Sequence, residues 1–119
     1  MVILPGGMPG AVHLDASPLV DRFLRAAAKK EAYMAAICAA PLVLGRRGYL
    51  QGKKAVCYPG FEEELAGAEV MEDAVVCDGN IVTGCGMGAA AVFGAALIRL
   101  MKGEEKEAEI WSAILADRV

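Results

Sequence analysis

The sequence predicts an α/β domain built on a largely parallel sheet, and three observations carry that expectation. Short apolar runs without polar alternation, such as MVIL (1–4) and YMAAI (33–37), read as strands buried on both faces. Stretches with helical periodicity separate them. Glycine or proline follows several of those runs directly, where an α/β unit turns from strand to helix. At 119 residues the chain makes one domain.

Taken in order, MVIL is a strand closed by the glycine loop PGG. SPLVDRFLRAAAKK (17–30) is a helix with Ser17 as its N-cap, Pro18 at the first helical position and Asp21 in the first turn. Its apolar stripe is expected from Leu19, Phe23 and Ala26 or Ala27, with Lys29 and Lys30 at the negative end of the helix dipole. YMAAI is the second strand, and Pro41 opens a short helix that stops near Gly48. KAVCY (54–58) reads as a strand and PGFEEELAG (59–67) as an acidic helical turn. AEVM (68–71) and AVVCDGNIVTG (74–84) read as strands, the latter folded at Asp78-Gly79-Asn80 into a hairpin. An almost wholly apolar helix (86–103) follows. The last helix (104–119) is charged and lays Ile110, Trp111, Ile114 and Leu115 on the domain.

Composition narrows the function classes. A formal charge of -3 gives no broad basic surface, so nucleic acid is not an expected partner. The cysteines at 38, 57, 77 and 85 form no CxxC pair, which points to reduced thiols in a cytoplasmic protein rather than a disulfide scaffold or a metal site. Residues 79–98 carry no charge, but Asn80, Thr83 and several glycines mark them as strand, turn and buried helix, so no membrane is expected either. GCGMGA (84–89) formally matches a dinucleotide fingerprint. The strand with an acidic end that such a site needs does not follow it, and no cofactor is expected.

The chemistry gathers at the strand ends, where ligands bind in such sheets. In Ala36-Ile37-Cys38-Ala39-Ala40 a thiol stands between small residues, just ahead of a helix opened by proline. Small neighbours let a sharp strand-to-helix turn bring backbones together, as around the serine of hydrolase elbows. The helix N-terminus would favour the Cys38 thiolate, and the Ala39 N–H would hold an oxyanion. A buried structural cysteine is the competing reading. Gly6 and Gly7 present backbone amides after the first strand, and Tyr58 is a hydrogen-bond donor beside Cys38 by strand order. His13, the one histidine, falls in the lead-in to a surface helix and is not expected to pair with Cys38. Cys57 and Cys77 read as packing residues, and Glu62, Glu63 and Glu64 as a solvated face. Cys85 would resolve an oxidised Cys38 if the fold brought the two together.

VILPGGMPGAVHL, AAICAAPLVL, CYPGFEEEL and DGNIVTGCGMGAAAVFGAALIRLMKG, in that order, resemble the ThiJ/PfpI superfamily, in the branch of the Parkinsonism-associated deglycase and bacterial ThiJ-like proteins. The resemblance implies a flavodoxin-like three-layer α/β/α sandwich and a homodimer. It implies that Cys38 is the reactive, easily oxidised cysteine, with Gly7 and Ala39 as oxyanion amides. Tyr58 stands where many members carry histidine, and Cys85 where others carry arginine. Family members have strands ahead of the LPGG strand and a glutamate there that bonds the cysteine. Residues 1–119 are therefore expected to be the C-terminal portion of a single such domain, N-terminal strands missing, with the edge of MVIL open to another chain. The implied activity is that of a cofactor-free glyoxalase III or deglycase acting on small α-oxoaldehydes through a Cys38 hemithioacetal. The alternatives are a redox-sensing, stress-response or chaperone-like protein acting through Cys38 oxidation, and a cysteine peptidase or amidase.

Overall fold

The computed structural model describes all 119 residues. Four strands form the main sheet: β1 (Val2–Leu4), β2 (Met34–Ile37), β5 (Val75–Asp78) and β6 (Ile81–Gly84), in the order β1-β2-β6-β5. The first three neighbours run parallel, and β5 joins antiparallel to β6 through the expected hairpin, with Gly79 at φ +59°. β3 (Lys54–Ala55) and β4 (Glu69–Val70) make a separate two-stranded parallel ribbon. On one face of the main sheet lie α1 (Gly10–Ala16), α2 (Pro18–Lys29) and α3 (Pro41–Arg46); on the other lies α4 (Ala90–Lys102), with α5 (Glu104–Ala113) against it. The predicted α/β sandwich with a mostly parallel sheet is the observed one.

β2 is central because its residues are small. Met34, Ala35 and Ala36 are fully buried, Met34 and Ala36 in the larger core under α2 and α3, and Ala35 in the smaller one with Val82, Phe93 and Leu97. Alanine on both faces lets helices approach the sheet from either side. β1 lies at the sheet's edge with its outer side unpaired, and Ile3 there is 52% exposed. No helix is long and apolar enough to cross a membrane.

Several expected features differ. The residues before Ser17, expected as a lead-in, make a helix of their own, α1. Ser17 caps α2 as expected, its hydroxyl accepting from the Val20 N–H at 3.3 Å, and Ala27 of the expected stripe is buried, but its partners are Leu24 and Val20 rather than Leu19 and Phe23. Leu19 and Phe23 are each 59% exposed. Both sets have helical spacing, and docking of α2 on β1 and β2 selects one of them. The strand expected over 54–58 keeps only two residues because the Val56 N–H turns to the Thr83 hydroxyl at 2.9 Å. α5 ends at Ala113, leaving Ile110 and Trp111 half-buried but Ile114 and Leu115 exposed, because its main packing partner is α4 rather than the sheet. Glu64 is not free either: it takes the Arg46 guanidinium at 2.8 Å.

Arg46 and Arg47 bind Asp15, and Arg47 also binds Asp21, joining α1, α2 and α3. Burial pushes the Asp15 carboxyl up, but hydrogen bonds from Arg46 and Arg47 outweigh it and hold it below its ordinary 3.8. Hydrogen bonds from Arg25 and Arg47 lower Asp21 likewise, and Arg46 lowers Glu64.

Two measurements test this packing. A Cβ on Gly45 of α3 would lie 2.1 Å from the Glu64 carbonyl oxygen, whereas one on Gly94 of α4 meets nothing within 4 Å. In urea titrations Gly94→Ala is expected to stabilise by roughly 0.5–1 kcal/mol, as removal of a helical glycine does, and Gly45→Ala to destabilise despite the same propensity gain. The depressed carboxyls contribute stability that is complete above their unfolded pKa and lost as pH falls through the folded values. Stability measured from about pH 5 downward is expected to fall less steeply in Asp15→Asn than in the wild type.

Candidate functional site

Cys38 is the first residue past β2 and has φ +65°, a left-handed backbone that side chains other than glycine rarely adopt. Such a conformation costs about 1–2 kcal/mol and persists only where the surroundings impose it. Three contacts do so. The Cys38 N–H donates to the Gly84 carbonyl at 2.9 Å, and its carbonyl accepts from the Tyr58 N–H at 2.8 Å. Gly6 presses on it from β1: a Cβ there would stand 2.6 Å from Cys38 Cβ and 2.7 Å from the Ile37 carbonyl. Only glycine fits, so the elbow read from the small residues around Cys38 is present.

The turn continues with the Ala40 N–H on the Ile37 carbonyl, and α3 starts at Pro41 as expected. Between them, the Ala39 N–H donates to no protein acceptor although Ala39 is only 1% exposed. Buried backbone donors are nearly always paired, and one left open beside a thiol is placed to meet an anionic oxygen. The Gly7 N–H is likewise open, in a loop whose Gly6 reaches to within 3.5 Å (from its would-be Cβ) of the Ala39 nitrogen. Cys38 itself is half-buried, so a small molecule reaches it.

Tyr58 reaches the site through its backbone. Its ring is half-exposed and stands over Gly86, where an added Cβ would be 3.3 Å from the ring, and its hydroxyl makes no hydrogen bond. The expected hydroxyl–thiol contact is therefore not made. His13 is exposed on α1 and its ring bonds nothing. Glu62 accepts from the Gly60 N–H at 2.6 Å. Cys57 packs in the core at 5% exposure, as expected. Burial pushes its thiol up to about 11, helped by the Glu62 carboxylate and Cys38 and opposed by the Phe61 N–H. Cys77, expected to pack, is exposed on β5, since that strand's outer face is only partly covered. No group of His, Cys, Asp and Glu side chains is arranged to hold a metal. An open groove of about 830 Å³ runs between α4 and α5, past Arg99 and Trp111, and none of the Cys38 site lines it.

Residues 1–100 match the DJ-1/PfpI family. The chain belongs to that family. DJ-1 homolog B of Arabidopsis thaliana is 39% identical over 112 residues, covering 92% of this chain and 26% of that protein. The crystal structure of Drosophila melanogaster DJ-1beta superposes with a TM-score of 0.90 at 36% identity, over 96% of this chain and 62% of that one. The glutathione-independent glyoxalase DJR-1.2 of Caenorhabditis elegans is 29% identical over 108 residues, covering 89% of this chain and 57% of that protein. The chain thus spans between a quarter and about three-fifths of the length of these DJ-1/PfpI relatives.

Thr83 is the residue that sequence reasoning passed over. It is the one fully buried polar side chain, and its hydroxyl holds Val56, two residues before Tyr58. A threonine within an apolar strand run is the signal that pointed to it. The Gly6 contact yields its own test. Gly6→Ala is expected to destabilise the fold by about 1–3 kcal/mol and to change the rate at which iodoacetamide alkylates Cys38. Unchanged stability and unchanged alkylation would show that the elbow does not depend on this contact.

Proposed function

We propose that the chain carries the nucleophilic half of a cofactor-free cysteine enzyme of glyoxalase III or deglycase type, acting on small α-oxoaldehydes. The open Ala39 N–H beside a solvent-accessible thiol on an elbow is the observation that carries the reading. Similarity to a protein described as a glutathione-independent glyoxalase supports it. Cys38 sulfur attacks the aldehyde carbon, the carbonyl oxygen becomes an oxyanion, and the Ala39 and Gly7 N–H groups donate to it. Moving the proton from the former aldehyde carbon to its neighbour gives a thioester, and water releases the 2-hydroxy acid and the thiol.

The proton transfer needs an acid/base that these residues do not place at Cys38, since no carboxylate or imidazole hydrogen-bonds there. A carboxylate of another segment or chain is the proposed source. The peptidase or amidase reading gains nothing from the exposed His13.

Incubation of the full-length protein with methylglyoxal is expected to yield lactate, and Cys38→Ala to reduce the rate by orders of magnitude. Equal rates in the two proteins would exclude the hemithioacetal route.

A further inference from the structure

Two of the four thiols belong to residues that directly follow adjoining parallel strands. β2 and β6 run parallel with Ile37 opposite Gly84, and the Cys38 N–H donates to the Gly84 carbonyl. One residue further, Cys38 and Cys85 follow in step. Neighbouring strands lie about 4.8 Å apart, inside the ~4.4–6.8 Å Cα separation a disulfide spans. Both residues are past the last paired residue of their strands, where the pleat no longer holds side chains parallel. Cys38 has its left-handed backbone, and Cys85 leads into Gly86, which has no side chain to obstruct it. Both thiols are half-buried, so a small oxidant reaches the site.

The other two thiols are less suited to the role, Cys77 by position and Cys57 by burial. Cys77 pairs with Val82 on the far side of β6, so a whole strand separates it from β2. Cys57 lies nearer, but burial keeps its thiol protonated at neutral pH and slow as a nucleophile.

We infer that Cys85 is the resolving thiol for Cys38, closing a reversible intramolecular disulfide after a hydroperoxide has oxidised Cys38. In the first step the Cys38 sulfur attacks the peroxide oxygen, the O–O bond breaks and an alcohol or water leaves. Sulfur gives up two electrons to the peroxide and becomes a sulfenic acid. Cys85 sulfur then attacks Cys38 sulfur, the S–S bond forms, the S–O bond breaks, and hydroxide leaves with the Cys85 proton as water. An external dithiol returns both thiols. The disulfide takes the nucleophile out of use and shields it from irreversible sulfinic oxidation. The inference rests on the reading of Cys38 as the reactive thiol.

Peptide mapping of the full chain tests it, after mild hydrogen peroxide, alkylation of free thiols and digestion without reductant. The expected product is a Cys38–Cys85 linked peptide and an intact mass lower by two hydrogens, both reversed by dithiothreitol. Cys85→Ser is expected to accumulate sulfenic acid at Cys38, trapped by dimedone, and to proceed to the sulfinic acid. Wild-type Cys38 that gains two oxygens while Cys85 remains alkylatable overturns the resolving role and leaves the reactive thiol standing. A Cys38–Cys57 link overturns the assignment to Cys85. Cys38 that stays unoxidised overturns both readings.

Discussion

Everything at the strand ends depends on the left-handed backbone of Cys38. A residue continuing β2 in an extended conformation would carry its peptide groups on along the ladder. With φ at +65°, the chain turns, the N–H stays on Gly84 of β6, and the carbonyl is offered to Tyr58. One residue thereby ties the ends of three chain segments, with Gly6 of the β1 loop pressed against its Cβ as the third. The conformation is unfavourable by itself, so the two hydrogen bonds and the close contact have to outweigh it. Glycine at position 6 is then a steric requirement of the turn. The same turn leaves the Ala39 N–H behind without an acceptor.

That arrangement also sorts the thiols. Cys57 and Cys38 lie close together at the same end of the domain, yet one is packed among leucines and alanines and the other opens to solvent. Desolvation raises a buried thiol because it penalises the thiolate, so proximity to Cys38 does not make Cys57 a reactive thiol. Cys85 differs by being on the adjoining strand end rather than in the core.

How far the sequence could be read varies with the physics behind each feature. The elbow was legible because close backbone approach restricts residue size locally, and Ala36, Ala39 and Ala40 record that restriction in the chain. The parallel sheet was legible from apolar runs bounded by glycine and proline. The buried face of α2 was not, because Leu19 with Phe23 and Val20 with Leu24 have the same spacing, and only the sheet's position decides between them. Strand order brings the Tyr58 backbone to Cys38, but a side chain's direction beyond a strand depends on what fills the space around it. The Thr83 bond to Val56 joins residues 27 apart, and no local pattern encodes it.

The rigidity of the site follows from a closed ring of contacts around Cys38. α3 begins three residues after it, and Gly45 near its end packs on the Glu64 carbonyl, where a single added carbon would not fit. The Arg46–Glu64 ion pair reinforces that contact. From Glu64 the chain runs back through a 3₁₀ turn to Tyr58, whose N–H returns to the Cys38 carbonyl. Thr83 anchors the same segment to β6 at Val56. Each link restrains the next, so the thiol cannot relax its strained backbone without moving α3, the Tyr58 segment or the end of β6. A thiol held this way carries the neighbouring Ala39 N–H with it: the same bonds that impose the turn keep that open donor beside the sulfur-bearing residue.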